Sequence, residues 1–397
     1  MEGKWKVMDI QQLGILKIIE AAINNTKHEL PDGFNFVNAV EIAKKHKIIS
    51  LVYYGALNCG IPNDDPLMQE LFMDTCKSMF IAEQQSYAVK EIFEIFDKNS
   101  IDYMPLKGTL LKELYPKPDM RLMGDADILI YTDQYDRIKP IMQQLNYQEI
   151  LESDHEFVWR KAQVCIELHK RLIPSYNKDY YKYFGDGWRL ATVNDGCCHY
   201  MTDEDQMIYL FTHFAKHYRD SGIGIRHIVD LWVYRNTKKL NEEYIKFELN
   251  KLQLLDFYKN ILSTLDVWFN GKENNAITEF ITQIIFNSGV YGTRESHLLS
   301  KALKEAKMDG SSKNVRSKRL VSGIFLPFKN MCIIYPFLVK APILLPLMWF
   351  VRIFNIIFFK SDRITTRSQE YNIISSEHID DYEKSLNFVG LDFDFKE

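Results

Sequence analysis

The spacing of apolar residues divides the chain into helical regions and one region of short strands. Over residues 1–98 apolar positions recur three and four apart, beginning near Leu13, Leu16 and Ile19, which predicts amphipathic helices. Over 99–195 short apolar runs alternate with turn residues, which predicts an α/β core. Helical spacing returns over 196–310, and 311–397 combine an apolar helical segment with a polar tail.

The core region has a predicted order of elements. IDYMPLKG (101–108) indicates a strand ending in a glycine turn, TLLKELYP (109–116) a short helix, and GDADILIY (124–131) a second strand. DQYDRIKPIMQQL (133–145) is predicted to be a helix with Asp133 as its N-cap. The runs YQEIL, EFVWRK and VCIELHK predict an antiparallel meander. The expected fold class is α+β, with a small mixed or antiparallel sheet flanked by N-terminal and C-terminal helical regions.

Two aspartates stand at the entrance to the second strand. Side chains two residues apart in a strand point to the same face, so Asp125 and Asp127 are expected to share a face, about 7 Å apart at Cα. Each carboxylate would raise the pKa of the other unless a positive charge lay between them, and a divalent cation is the simplest such charge. The alternative is a turn with capping aspartates.

Two neighbouring features bear on this pair. Upstream, LKGT (106–109) places a glycine turn at a helix start, where free backbone N–H groups bind anions and Lys107 adds a positive charge. Downstream, Glu167 interrupts the apolar strand VCIELHK, which is costly unless its carboxylate has a partner. If that strand lies beside the ADILIY strand, Glu167 becomes a third carboxylate near the pair. The alternative is a buried ion pair.

This order of elements resembles the nucleotidyltransferase superfamily of the DNA polymerase β type, in which a helix-opening glycine motif precedes a Dx[DE] strand and a third acidic residue. The closer resemblance is to an uncharacterised branch of bacterial nucleotidyltransferase family proteins. The motifs that carry it are LKG (106–108), YPKP (115–118), Arg121, DAD (125–127), ELH (167–169) and HFAKHYRDSGIGIRHIVDLW (213–232). The resemblance implies that residues 99–195 form a nucleotidyltransferase core.

The resemblance also implies a reaction, namely transfer of a nucleoside monophosphate from an NTP such as ATP to an acceptor hydroxyl. A two-metal Mg²⁺ site would suit it, because Mg²⁺ prefers oxygen ligands. The implied catalytic residues and metal ligands are Asp125, Asp127 and Glu167, and the implied phosphate-binding residues are Lys107, Gly108, Thr109 and Arg121. The alternative is a catalytically silent nucleotide-binding or scaffolding module, since the turn is Gly-Thr where the superfamily usually has Gly-Gly or Gly-Ser.

The amino-acid composition indicates which binding partners and which cellular compartment to expect. The 397 residues are 46% hydrophobic and 26% charged with a net charge of −4, which is typical of a soluble globular protein and argues against nucleic acid as a partner. The six cysteines are scattered without a CxxC motif, which argues against a disulfide framework and favours a reducing cytoplasm. The expected partners are therefore an NTP and a small-molecule, glycan or protein acceptor.

The region after 196 contains a second group of polar residues. His213 and His217 are four apart on one predicted helical face, but without an HExxH motif we favour core packing over zinc binding. Lys216, His217, Arg226 and Asp230 are candidates for lining a nucleotide-base cleft. The alternative is a helical ion pair between Arg226 and Asp230 at i,i+4.

The most apolar segment is 331–359. Its uninterrupted apolar run between Lys340 and Arg352 has 11 residues, short of the roughly 20 that span a bilayer. Two interpretations remain. The segment packs in the protein or against a partner, or it lies peripherally on the anionic inner face of the membrane, with the preceding KNVRSKR (313–319) at the lipid headgroups.

Overall fold

The computed structural model describes residues 8–309, 315, 319, 325–359 and 373–391. The chain divides into two compact units. Unit 1 comprises Met1–Tyr218, Gly222–Gly292 and Val389–Glu397, and unit 2 comprises Arg219–Ser221 and Thr293–Phe388. The sheet and the residues of the predicted site all belong to unit 1.

A mixed sheet forms the centre of unit 1, with strand order β3-β4-β5-β2-β1-β7-β6. The strands are β1 Tyr103–Pro105, β2 Ala126–Ile130, β3 Gln148–Glu152, β4 Glu156–Lys161, β5 Val164–His169, β6 Val193–Asp195 and β7 Cys198–Tyr200. β3, β4 and β5 form an antiparallel meander, whereas β2 and β5 are parallel. The α+β fold class and the meander are confirmed.

Helices cover the sheet and explain why its central strand, β2, is buried throughout and apolar except at Asp127. All five residues of β2 are buried, which requires that both faces of the strand be covered. The core that covers it includes Ile92 and Phe96 of one helix and Ile138 and Met142 of another. An entirely apolar run from Ile128 to Ile130 therefore marks the centre of the sheet.

The helices of unit 1 surround this core. They are α1 Ile10–Asn24, α2 Phe36–His46, α3 Ile49–Asn58, α4 Pro66–Lys98, α5 Gly108–Leu111, α6 Tyr135–Gln144, α7 Lys178–Phe184, α8 Asp203–Asp220 (whose last two residues are assigned to unit 2), α9 Ile225–Thr237, α10 Glu242–Lys251, α11 Leu255–Phe269 and α12 Ala276–Ser288. The longest, α4, begins with a cap from Asp65 and a proline at its first position, both typical of helix N-termini.

One local prediction differs from the structure, and one element was not predicted. Asp133 does not cap α6, because a 3₁₀ turn over Thr132–Gln134 precedes the helix and its N-cap, Gln134, makes no side-chain capping bond. The hairpin of β6 and β7 was not predicted, since strands of three residues are too short to show alternation. β7 pairs with β1, so the expected boundary between residues 195 and 196 falls inside this hairpin.

Unit 2 is helical in its described part, with α13 Arg294–Asp309, α14 Phe328–Ile334, α15 Leu345–Phe359 and α16 Ser376–Phe388. Met331, Leu338 and Met348 form a small buried cluster in the apolar segment. Among the described residues, no helix has the length and hydropathy needed to span a bilayer. Most of the basic stretch 313–319 and the tail residues 360–372 and 392–397 lie outside the described residues.

Candidate active site

Strand pairing places Asp127 and Glu167 side by side. β2 and β5 run parallel, with Asp127 opposite Glu167 and Leu129 opposite His169. Side chains at paired positions of neighbouring strands point to the same face. The strand that carries Glu167 therefore does lie beside the ADILIY strand, and the third carboxylate is brought to the aspartate pair.

One oxygen of Asp127 is the centre of the cluster. The Lys107 ammonium donates to its Oδ1 at 2.7 Å, and Nε2 of His169 lies 2.7 Å from the same atom. Asp127 is 4% exposed, and burial alone would raise its pKa; Lys107 and His169 outweigh burial and lower the pKa below its usual value. Asp127 is therefore held as a charged carboxylate.

Asp125 has the opposite environment. Burial raises the pKa of Asp125 to about 7, and the nearby charges of Asp127 and Glu167 add to this effect. In the described part of the chain, neither Asp125 nor Glu167 has a lysine or arginine nitrogen within 4.0 Å. The cluster thus carries negative charge that its own lysine does not balance.

The glycine turn lies next to these carboxylates. Lys107 has a φ of 44° and Gly108 begins α5. A Cβ on Gly108 would lie 3.0 Å from the side chain of Met123 and 3.2 Å from Nη1 of Arg121, so a larger residue does not fit without movement of its neighbours. The hydroxyl of Thr109 is buried and has no hydrogen-bond partner among the described residues.

Arg121 is engaged elsewhere. Its Nε and Nη2 both bond the carboxylate of Asp230, at 2.9 Å to the nearer oxygen in each case, and the hydroxyl of Tyr115 donates to the same carboxylate at 2.7 Å. Arg226 bonds the carbonyl of Leu122 at 3.1 Å. Asp230 therefore pairs with Arg121, which lies in the segment between α5 and β2. Because its charge is already paired, Arg121 is not available to bind a phosphate.

Sequence reasoning missed two contributions to the site. His169 lies two residues after Glu167 on the same strand, so the same-face rule would have found it. Helix α8 adds Tyr209 and His213, because the charge of Lys107 acts on the pKa of both. Burial, the larger effect, raises the pKa of Tyr209 and lowers that of His213 well below its usual value. No local pattern links residues a hundred positions apart, so this second contribution required the tertiary structure.

The donor set fits a divalent cation. Asp127, Glu167 and His169 can each offer one ligand atom, and these atoms all lie within 4.8 Å of one another. His169 could ligate here only through Nε2 without its proton, whereas the two carboxylates can ligate while Nε2 donates to Asp127. Carboxylate oxygens suit Mg²⁺, and an imidazole nitrogen also suits Mn²⁺ or Zn²⁺. Asp125 is outside this group of three, although it is close enough to Glu167 and Asp127 for both to raise its pKa.

Together, an α+β core and a carboxylate cluster beside a glycine turn define a domain of the nucleotidyltransferase type. The family model described as uncharacterised nucleotidyltransferase matches residues 32–270, more than half of the chain, and the chain belongs to this family. The match includes every residue of the cluster and supports nucleotidyl transfer in general. Comparisons with curated proteins and with solved structures found no match.

Proposed function

We propose that this protein is a Mg²⁺-dependent nucleotidyltransferase that moves a nucleoside monophosphate from an NTP to a hydroxyl or similar group of a small molecule, a glycan precursor or a protein. The observation that carries the proposal is the register of β2 and β5, which sets Asp127 opposite Glu167. With Asp125 beside them, three carboxylates share one partly buried cluster. Because their repulsion destabilises the protein, a bound cation is the simplest reason for keeping them together.

The residues have distinct proposed tasks. Magnesium ions bound by Asp125, Asp127 and Glu167 would supply positive charge at the attacking and leaving oxygens. Glu167, which is 20% exposed, would accept the proton of the acceptor hydroxyl. Gly108 would permit close approach of the β- and γ-phosphates, and the hydroxyl of Thr109, which has no partner among the described residues, would donate to them.

Two basic residues, Lys107 and Arg121, have different proposed roles in the site. Lys107 bonds Asp127 and, as a residue of the glycine turn, would also contact the arriving phosphates. Arg121 is proposed to act as a positioning residue: it bonds Asp230 and the carbonyl of Leu122, and so fixes the segment that precedes the aspartates. Its charge is already neutralised, so we assign it no phosphate contact.

The test uses purified full-length protein with Mg²⁺ and each α-³²P-labelled NTP, incubated with separated small-molecule and protein fractions of a cell extract. We expect label transfer and pyrophosphate release with at least one NTP. Asp127→Asn should reduce both by about 1,000-fold, because it removes a charge that acts in the transition state. Asp133→Asn, an exposed aspartate six positions away, is the matched control and should be fully active. Equal transfer by both variants contradicts the proposal.

A catalytically silent nucleotide-binding module is the second candidate. The observation that favours it is the ammonium of Lys107 on Asp127, since a lysine at 2.7 Å supplies the positive charge that a metal would otherwise supply. Thermal melts with each NTP separate the two candidates. Stabilisation that requires Mg²⁺ supports the enzyme, and equal stabilisation with Mg²⁺ or EDTA supports the silent module.

For localisation, we propose a cytoplasmic protein that lies peripherally on an anionic membrane surface through the apolar segment. Residues 310–361 contain eight lysines and arginines and no aspartate or glutamate. Within this segment Ile333 is 76%, Val339 67% and Ile343 89% exposed. Large exposed apolar side chains among basic residues are typical of interfacial helices that bind anionic lipids.

Vesicle sedimentation tests this attachment. The intact protein should bind phosphatidylglycerol-containing vesicles more strongly than pure phosphatidylcholine vesicles. Ile343→Glu should weaken binding by about tenfold or more, because burial of one isoleucine is worth about 1.5–3 kcal/mol and 1.4 kcal/mol is roughly a factor of ten. Phe247→Glu, at a residue of α10 that is 61% exposed, is the control and should bind as the wild type does. A monodisperse dimer that binds neither vesicle would instead assign the segment to a protein interface.

A further inference from the structure

The far side of His169 faces a second group of metal-ligating side chains, which nucleotidyl transfer does not use. We propose that His155, Glu156 and His169 form a transition-metal site of the Zn²⁺ type, next to the carboxylate cluster but separate from it. One ligand atom from each of the three residues lies within 4.8 Å of the others. This inference does not rest on the proposed function, because it concerns different atoms and a different class of metal.

The backbone fixes the position of all three side chains. Glu156 of β4 lies directly opposite His169 of β5 in the antiparallel ladder, so the two side chains share a face. His155 immediately precedes β4 in a tight turn, where the hydroxyl of Ser153 accepts from the backbone N–H groups of both His155 and Glu156 at 3.1 Å. The N–H of Lys170 donates to the carbonyl of His155 at 2.8 Å and extends the ladder past the turn.

The distances between the donor atoms match those of a metal site. Nε2 of His155 lies 3.2 Å from Nδ1 of His169, and Oε2 of Glu156 lies 3.8 Å from each of these nitrogens. The point equidistant from the three atoms is about 2.1 Å from each, which is the length of a Zn–N or Zn–O bond. A cation could therefore bind there with little movement of the side chains.

The hydrogen bonding of His169 supports the same assignment. Its Nε2 faces the carboxylate of Asp127 at 2.7 Å, so this nitrogen carries the proton and donates. When the ring is neutral, Nδ1 keeps its lone pair and points toward His155 and Glu156. The pKa of His169 is raised, because its contacts with Asp127 and Glu167 outweigh burial, so a metal must displace a proton from Nδ1. A carboxylate that orients a metal-binding histidine through the opposite ring nitrogen is a common arrangement around zinc. Asp127 would thus connect the two sites through one imidazole.

The ligand types select the class of metal. Two imidazole nitrogens and one carboxylate oxygen suit Zn²⁺ or a similar transition metal, whereas Mg²⁺ prefers oxygen ligands. Glu156 is 20% exposed and His155 14% exposed, so the site has a route to solvent and room for a water as the fourth ligand. In the metal-free protein, an N–H of His155 donating to Nδ1 of His169 would explain their contact equally well.

Metal titration of the full-length protein decides between these interpretations. Chelator-treated protein is titrated with Co²⁺, followed by its visible absorption, and with Zn²⁺ in competition with a coloured chelator. We expect one equivalent to bind, and His155→Gln and Glu156→Gln to weaken Zn²⁺ binding by about 100-fold or more, with metal-free melting temperatures close to that of the wild type. Wild-type protein that binds no Zn²⁺ overturns the proposal.

Two control variants locate the metal. His199→Gln changes a histidine that pairs with Asp102 at 2.8 Å elsewhere on the sheet, and His217→Gln changes the α8 histidine 3.1 Å from His213. Both should bind Zn²⁺ as tightly as the wild type. Loss of binding in His217→Gln, with binding retained in His155→Gln, would place the metal on α8 and overturn the proposal. Mg²⁺-dependent label transfer is measured separately, so failure here leaves the proposed function intact.

Discussion

Unit 1 contains two clusters of buried charge that differ in how far they are balanced. Around Asp230, the guanidinium of Arg121 and the hydroxyl of Tyr115 satisfy the carboxylate. Around Asp127, one ammonium and one imidazole face three carboxylates, of which Asp125 has no basic nitrogen within 4.0 Å in the described part of the chain. The first cluster is closed, and the second leaves carboxylate charge unbalanced, which is where we propose that a cation binds.

The largest expected effect on stability comes from opening the closed cluster. Asp230→Asn leaves the buried charge of Arg121 without its counter-charge, which should lower the free energy of unfolding by about 3–5 kcal/mol. Urea unfolding measures the change. Asp256→Asn, in an exposed pair with Lys259, is the control and should cost less than about 0.5 kcal/mol. Similar losses in the two variants would remove the distinction between closed and surface pairs.

The stability of the protein should also depend on pH through His46, a buried histidine that is uncharged near neutral pH. Burial lowers the pKa of His46 to about 4, and it outweighs the bond from Nε2 to the carbonyl of Phe286, which acts in the opposite direction. In the neutral ring, Nδ1 accepts from the N–H of Ile225. The unfolded chain therefore binds the proton first, and stability should fall as the pH drops from about 6.5 to about 4. The loss should be on the order of 3 kcal/mol.

The variant His46→Gln isolates this contribution. It removes the titrating group, so its stability should depend less on pH over the same interval. Unfolding free energies of both proteins, measured between pH 4 and pH 7.5, give the comparison. Parallel curves would mean that His46 is not the group responsible.

A smaller effect should follow from removing one bond of the closed cluster. Tyr115→Phe deletes the hydroxyl that donates to Asp230 at 2.7 Å, while Arg121 still bonds the carboxylate. The expected loss is about 2 kcal/mol, typical of a hydrogen bond to a charged group. Tyr87→Phe, at a residue that is 72% exposed, should change stability by less than about 0.5 kcal/mol. If Tyr115→Phe leaves the free energy of unfolding unchanged, Arg121 alone satisfies Asp230.

The smallest expected effect is a small increase in stability, and it concerns the cluster around Asp127. Asp125→Asn removes a charge that Asp127 and Glu167 repel, so at pH 8 the metal-free protein should keep its stability or gain about 1 kcal/mol. The same variant should lose label transfer. Urea unfolding and the transfer assay are run on one preparation. A loss of more than about 2 kcal/mol would show that Asp125 has a structural partner.

The local pattern of apolar and polar residues was sufficient to predict much of the sheet core. Ile128 to Ile130 form a run with no polar break, and β2 lies there at the centre of the sheet. Three short strand-like runs in succession were enough to predict the meander of β3, β4 and β5. The pattern failed for β6 and β7, where three residues and a turn carry too little periodicity, and at Asp133, where a 3₁₀ turn displaced the helix start.

The partners of the charged residues were less accessible to sequence reasoning. Arg226 and Asp230 have the spacing of a helical ion pair, yet Asp230 bonds Arg121, 109 residues away. Lys107 was expected to face a phosphate, and it bonds Asp127. A short-range spacing rule describes which pairs are geometrically feasible within one helix, but competition from distant groups decides which pair forms.

Sequence alone determined the α+β class, the position of the central strand, and the candidacy of Asp125, Asp127 and Glu167, because apolar periodicity and polar interruptions are local properties of a chain. Only the tertiary structure decided that β5 lies parallel to β2, that His169 faces Asp127 with one nitrogen and His155 with the other, and that Arg121 is closed off by Asp230. Those outcomes depend on strand order and on contacts between segments far apart in sequence, and no local pattern specifies such contacts.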